Sequence, residues 1–120
     1  MLKIPLDTSS IVFALQNGID IFLAFGEQLD AIPIISNGVI RELRNLSLRR
    51  TKQGNAARLA AQLIELHRVA IASDKRSFDE WVLAPSMGFE QVCTNDLALK
   101  KGLRIKGIKV ISVSKKGILK

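Results

Sequence analysis

Short apolar runs alternate along this chain with longer amphipathic stretches, and several runs end abruptly on polar or acidic residues. One run closes at Leu6, ahead of Asp7-Thr8-Ser9-Ser10, and another closes at Val92-Cys93, ahead of Thr94-Asn95-Asp96. Brief apolar runs bounded in this way read as buried strands, and apolar residues spaced three and four apart read as helix faces. The pattern predicts a strand over 1–6, although Pro5 lacks a backbone donor and is discordant in a central strand. A helix follows from Asp7, a capping residue type, and stops at Asn17-Gly18; a second short helix runs from a cap at Asp20 through Gln28. Residues 31–35 read as a second strand, and Ser36 caps a third helix with Val39, Ile40, Leu43 and Leu46 as its apolar stripe. The longest helix is expected over 55–68, with Leu59, Leu63 and Leu66 buried and Arg58, Gln62 and Glu65 outside. After a weak strand over 69–72 come a short helix over 77–84, cut by Pro85, and the strand that ends at Cys93. A lysine-rich helix from Leu97 and a last strand over 109–113 complete the series. Strands alternating with helices predict an α/β fold, a three-layer α/β/α sandwich around a mainly parallel sheet of about five strands.

That layout puts Asp7 and Asp96 at two strand ends, each beside hydroxyl residues. In open α/β sheets ligands and catalytic groups collect outside the carboxyl ends of the strands, so an acidic metal site is suggested there. Helix capping accounts for Asp7 on local grounds as well as metal binding does. Glu42 lies early in the third helix, a few residues beyond a strand end, where it could face the same sheet edge; its neighbours Arg41 and Arg44 equally suit a surface glutamate. Asp79 and Glu80 open the short helix before Pro85, a position the helix dipole favours for acids on its own. The lone His67 reads as a solvated residue without a partner.

The 120 residues are 48% hydrophobic, enough for one compact domain spanning 1–120. A formal net charge of +7 points to a polyanionic partner as readily as to a plain basic surface. The basic residues cluster: no acid occurs after Asp96, while Lys100, Lys101 and Arg104 follow it, and Arg49, Arg50 and Lys52 form a second group beyond Glu42. Such residues suit phosphate contacts, which give affinity but little sequence reading. Aromatic residues are only 5% of the chain, so extensive base stacking is not expected. A single cysteine, Cys93, excludes an internal disulfide and reads as a small buried residue. No secretory signal opens the chain, and the apolar stretch Ile19–Phe25, which contains Asp20, is too short to span a bilayer. A soluble, cytoplasmic protein is expected, and Ile19–Phe25 is a candidate dimer surface.

These motifs together resemble the PIN domain family of small metal-dependent ribonucleases over nearly the whole chain. Leu6-Asp7-Thr8-Ser9 resembles the family's opening aspartate motif, Val39-Ile40-Arg41-Glu42-Leu43 its helix glutamate, and Cys93-Thr94-Asn95-Asp96 its late TND-type motif. Gly107-Ile108-Lys109-Val110-Ile111 is similar to its final strand. The segment Gln16–Phe22 and the alanine-rich helix resemble archaeal single-domain relatives of the PIN nucleases that process small-subunit ribosomal RNA. A further family aspartate precedes the TND motif; here its role falls to Asp79, with Glu80 the alternative. The resemblance implies Asp7 and Asp96 as principal metal ligands, with Glu42 and Asp79 as direct or water-mediated ones. Thr94, and then Thr8, would orient ligands or waters. Hard oxygen donors without histidine or thiolate favour Mg2+ or Mn2+. Such ions can activate a water and stabilise both oxygens of an in-line displacement at RNA phosphodiester bonds. The partners implied are structured or ribosomal RNA, with a homodimer and a ribosome-assembly protein left open. Two other roles remain: a toxin-type ribonuclease of a toxin–antitoxin pair, or a non-catalytic RNA-binding assembly factor.

Overall fold

The computed structural model describes residues 2–120, so Met1, at the start of the first expected strand, lies outside the described residues. The strands are β1 (Lys3–Pro5), β2 (Ile32–Ser36), β3 (Ala70–Ala72), β4 (Gln91–Cys93) and β5 (Lys109–Ile111). The helices are α1 (Thr8–Gln16), α2 (Ile21–Leu29), α3 (Asn37–Ser47), α4 (Lys52–Leu66), α5 (Phe78–Leu83) and α6 (Leu97–Ile105). Parallel ladders join β1 to β2, β2 to β3, and β4 to β5. A parallel bridge between Leu6 and Cys93 links the two groups, so the strands lie in the order β3-β2-β1-β4-β5.

Pro5 explains why β1 and β4 share so little ladder. The Leu6 amide donates to Ile34 O on the β2 side and the Asp7 amide to Cys93 O on the β4 side, both at 2.9 Å. Alternation therefore turns Pro5 toward β4, where it has no hydrogen to offer. Its discordance is absorbed at this seam rather than in the β1–β2 pairing.

The chain order runs outward through β2 and β3, then returns to β4 on the other side of β1 and ends at β5. Right-handed crossovers in opposite directions place helices on both faces of the sheet. Helices α1, α3 and α4 pack against one another, while α6 packs on β5 and α5. Ile4, Leu6, Ile35, Val92 and Ile111 bring the strands' side chains into the core; Ile11, Phe25, Val39, Trp81 and Leu103 come from helices. This is the α/β architecture expected from the alternating pattern.

Three local expectations fail. Helix α4 starts at Lys52, capped by Thr51 Oγ1 accepting from the Gly54 amide at 3.1 Å, three residues earlier than its apolar pattern suggests. Its buried face is Gly54, Ala56, Ala57, Ala60 and Ile64, whereas Leu59 and Leu66 are exposed and Leu63 only partly covered. The cause is close approach: a Cβ on Gly54 would collide with Arg49 O in the α3–α4 connection and crowd Leu46 O of α3, so only glycine fits there. The segment Ile19–Phe25 is not a free surface, because Ile21, Phe22, Ala24 and Phe25 are buried and Leu23 is its one exposed apolar side chain. His67 is not alone either: Nε2 meets Asp20 Oδ2 at 2.7 Å, and its ring lies beside Phe22. No single helix is long and apolar enough to cross a membrane.

Candidate active site

The strand order reverses between β1 and β4, and a cleft of about 510 Å3 opens beyond their carboxyl ends. Four carboxylates reach it from four parts of the chain: Asp7 after β1, Glu42 on α3, Asp79 on α5 and Asp96 after β4. Each sits within a turn or two of a strand or helix terminus, which is why residues so far apart in sequence share one rim.

Asp7 occupies the cap position of α1, yet its side chain makes no capping bond to that helix. Instead Oδ2 accepts from Thr94 Oγ1 at 2.6 Å and from Ser9 Oγ at 2.8 Å. Capping is thus not what this aspartate does. The residue is buried, and burial raises its carboxyl above the ordinary aspartate range; the Thr94 and Ser9 bonds pull the other way, and nearby Asp79 adds to the rise. Thr94 is itself fully buried and has a second bond, its Oγ1 accepting from the Asp96 amide at 3.1 Å. One hydroxyl therefore fixes the Asp7 carboxylate and the chain entering Asp96.

Asp96 is the working cap of α6, Oδ1 accepting from the Leu99 amide at 2.9 Å. Glu42 accepts from Thr8 Oγ1 at 3.3 Å, so Thr8 orients an acid as Thr94 does. Burial raises the Glu42 carboxyl, and Asp7, then Asp79 and Asp96, repel its charge. Burial and then Asp96 likewise raise Asp79. Asp79 and Glu80 separate clearly in space: Asp79 lines the cleft, while Glu80 Oε1 accepts from Ser77 Oγ at 2.9 Å and the Glu80 amide returns a bond to that hydroxyl. Glu80 is thus engaged with the capping residue of α5 rather than with the cleft. Arg41, a sequence neighbour of Glu42, turns away and donates to Lys75 O at 3.1 Å. Among the described residues the carboxylates in contact with a basic side chain are Asp20, against His67, and Asp74, against Arg76, so no cleft acid has a cation partner.

Several contributors are not acids. Ser9 bridges Asp7 and the Asn95 amide, and Ser10 Oγ donates to Asn95 Oδ1 at 2.7 Å. Asn95 also exchanges bonds with the Val113 backbone, tying the TND segment to the chain after β5. The signal of Ser9 and Ser10 in sequence is the hydroxyl-rich run after Asp7, which suits a helix start equally well. Cys93 is fully buried, its thiol pushed up to about 12 chiefly by that burial, and it donates weakly to Ser10 Oγ. It is an inert core residue.

Among the described residues, no three carboxylate, histidine or cysteine side chains are drawn together closely enough to ligate one ion jointly. The donors available at the cleft are oxygen only, and three of its acids are held protonation-prone by burial and mutual repulsion. That chemistry fits a hard divalent cation of the Mg2+ type, which keeps several waters and takes one or two carboxylates directly. The basic residues Arg49, Arg50, Lys52, Lys100, Lys101 and Arg104 do not line the cleft; they occupy the α3–α4 connection, the start of α4, and α6.

A family model described as "PIN like domain" matches residues 4–116. Among solved structures, the chain is similar to the PIN domain endonuclease Utp24, with 28% identity and a TM-score of 0.75, covering 98% of this chain and 90% of that one. It also resembles a domain of a functionally unknown protein from Methanocaldococcus jannaschii DSM 2661, at 17% identity and a TM-score of 0.58, covering 95% of this chain and 92% of that one; this likeness concerns the fold alone. No curated protein matches.

Proposed function

The chain belongs to the PIN-like domain family, and from that premise we propose that it is a metal-dependent endoribonuclease acting on RNA phosphodiester bonds in ribosomal RNA processing. Family membership and the likeness to an endonuclease over almost the whole chain support nuclease function in general. The observation that carries the finer reading is the convergence of Asp7, Glu42, Asp79 and Asp96 on one cleft, with no cation partner among the described residues. Uncompensated carboxylates cost stability, and capping does not account for the most buried of them: Asp7 stands at a cap position without capping.

In this reading Asp7 and Asp96 are the principal ligands of Mg2+ or Mn2+, and Glu42 and Asp79 act directly or through water. A divalent ion supplies Lewis acidity toward the scissile phosphate and its attacking water. The protein's own part is positional. Thr94 holds the Asp7 carboxylate and the approach to Asp96, Thr8 steadies Glu42, and the α6 cap leaves Asp96 one carboxylate oxygen free of the Leu99 amide. Lys100, Lys101 and Arg104 on α6, with Arg49, Arg50 and Lys52 around the start of α4, attract the RNA backbone.

The test is cleavage of an end-labelled structured RNA in Mn2+, Mg2+ or EDTA by the wild type and by Asp96→Asn, which keeps a capping oxygen. Ion-dependent cleavage that disappears in the variant is expected. RNA binding without cleavage, indifferent to the substitution, would replace the nuclease with an RNA-binding assembly factor.

A further inference from the structure

The cleft has a second half whose chemistry the acids do not use. Val12 and Phe13 of α1 and Leu46 of α3 form an apolar wall, and the carboxamides of Gln16 and Gln53 border it. Both glutamines are exposed, and among the described residues neither carboxamide has a hydrogen-bond partner within the chain. Gln28 behaves differently: its carboxamide donates to Gly117 O at 2.7 Å and accepts from the Leu119 amide at 2.9 Å, holding the C-terminal turn. Gln16 and Gln53 have no such structural occupation.

Charge narrows what can lie against this wall. The lining contains four acids and no lysine or arginine, so an anionic group is not drawn to it by the protein. A neutral, flat group with a mixed donor and acceptor edge is well matched. A carboxamide offers both an acceptor oxygen and two donor hydrogens, and an unpaired nucleobase stacks on aromatic side chains while presenting such an edge. Gln16 also borders an adjoining groove of about 240 Å3 that contains Lys52 and Asn55. The groove that Gln16 shares with the cleft thus carries a cation, Lys52, available to a phosphate.

We propose that the Phe13–Gln16–Gln53 half of the cleft is a nucleobase subsite that selects the nucleotide next to the cleaved bond, with Lys52 holding the following phosphate. Phe13 lies against the base, and the two carboxamides read its edge. The subsite rests on the nuclease reading for its place beside a cleaved bond, but its affinity for a base does not depend on turnover.

Two measurements separate these claims. In the first, isotope-labelled protein in Mg2+ is titrated with AMP, GMP, CMP, UMP and ribose 5-phosphate while the side-chain amide resonances of Gln16 and Gln53 are followed. At least one nucleotide should move them well beyond ribose 5-phosphate, and the double variant Gln16→Ala/Gln53→Ala should weaken that nucleotide roughly tenfold. Resonances that stay still, or that answer ribose 5-phosphate equally, overturn the subsite. In the second, cleavage sites are sequenced on a randomised RNA. A base preference in the wild type that is lost among the cuts the double variant still makes supports the proposal; an unchanged preference overturns it. If the wild type cleaves nothing yet the amide signals respond to a base, the nuclease reading falls and the base-binding site stands.

Discussion

Asp7 shows at the scale of one residue how a site is bought with stability. Its carboxyl, like those of Glu42 and Asp79, is raised by burial first and by neighbouring acids after that, so the folded chain holds these protons more tightly than the unfolded chain does. Metal-free stability is then greatest below the ordinary carboxylate range and falls as pH rises through the raised folded values. In EDTA, the wild-type melting temperature should decline from about pH 4 upward, and Asp7→Asn should flatten that decline while leaving the protein no less stable at pH 7. A variant markedly less stable at pH 7 would show that Asp7 is a structural residue. Thr94→Val tests the opposite dependence. It removes the buried donor to Asp7 and takes the acceptor from the part-buried Asp96 amide, at a cost of about 1–3 kcal/mol. Denaturant unfolding checks this. Both acids were legible in sequence because a carboxylate right after an apolar run is conspicuous. The bond network of Ser9, Ser10 and Asn95 was not, because hydroxyls after Asp7 look the same whether they serve a helix start or a neighbouring strand.

Among the elements, α4 departs most from its pattern, and packing distance is the reason. Leucines at 59, 63 and 66 make a plausible apolar stripe, but the true interior is set by how closely α3 and α1 approach. Where backbones nearly touch, small residues go inside and large ones are displaced outward. Gly54→Ala should therefore destabilise by about 1–3 kcal/mol despite alanine's better helix propensity, since its Cβ would collide with Arg49 O. Leu66→Ala, at an exposed leucine, should change stability by no more than about 0.5 kcal/mol. Paired urea melts decide between this face and the leucine face, which predicts the reverse ranking. The same elements show what sequence does convey. The caps read at Asp20 and Ser36 hold their expected helices, because a cap is a bond between residues two or three apart, whereas Asp7, a capping type at the same kind of position, is drawn off by Thr94 from a neighbouring strand end.

At the level of the whole molecule, the alternating order of elements was enough to imply parallel strands with helices on both faces, because crossover handedness leaves few other arrangements. What it could not give was which strand neighbours which across the seam, since Leu6–Cys93 pairing joins residues 87 apart through a single bridge interrupted beside Pro5. That seam matters most for function. It is where the sheet reverses direction, where ladder bonding is thinnest, and where the uncompensated acids gather. The fold thus holds a repulsive cluster at its least bonded joint, and a cation should tighten the molecule as a whole. Anything that binds the folded chain alone stabilises it by mass action, about 2.7 kcal/mol at an ion concentration 100 times Kd. For a domain of this size that corresponds to a rise on the order of 10 °C in melting temperature. We therefore expect Mn2+ or Mg2+ to raise the wild-type melting temperature in a concentration-dependent way. The rise should vanish in Asp7→Asn and shrink in Glu42→Gln, and it should persist in Leu66→Ala. Calorimetric scans with increasing ion provide the measurement. A shift of equal size in wild type and Asp7→Asn would place the ion elsewhere on the chain, and the cleft's acids would then need another cation, from RNA-bound counterions or a partner protein, to offset their repulsion.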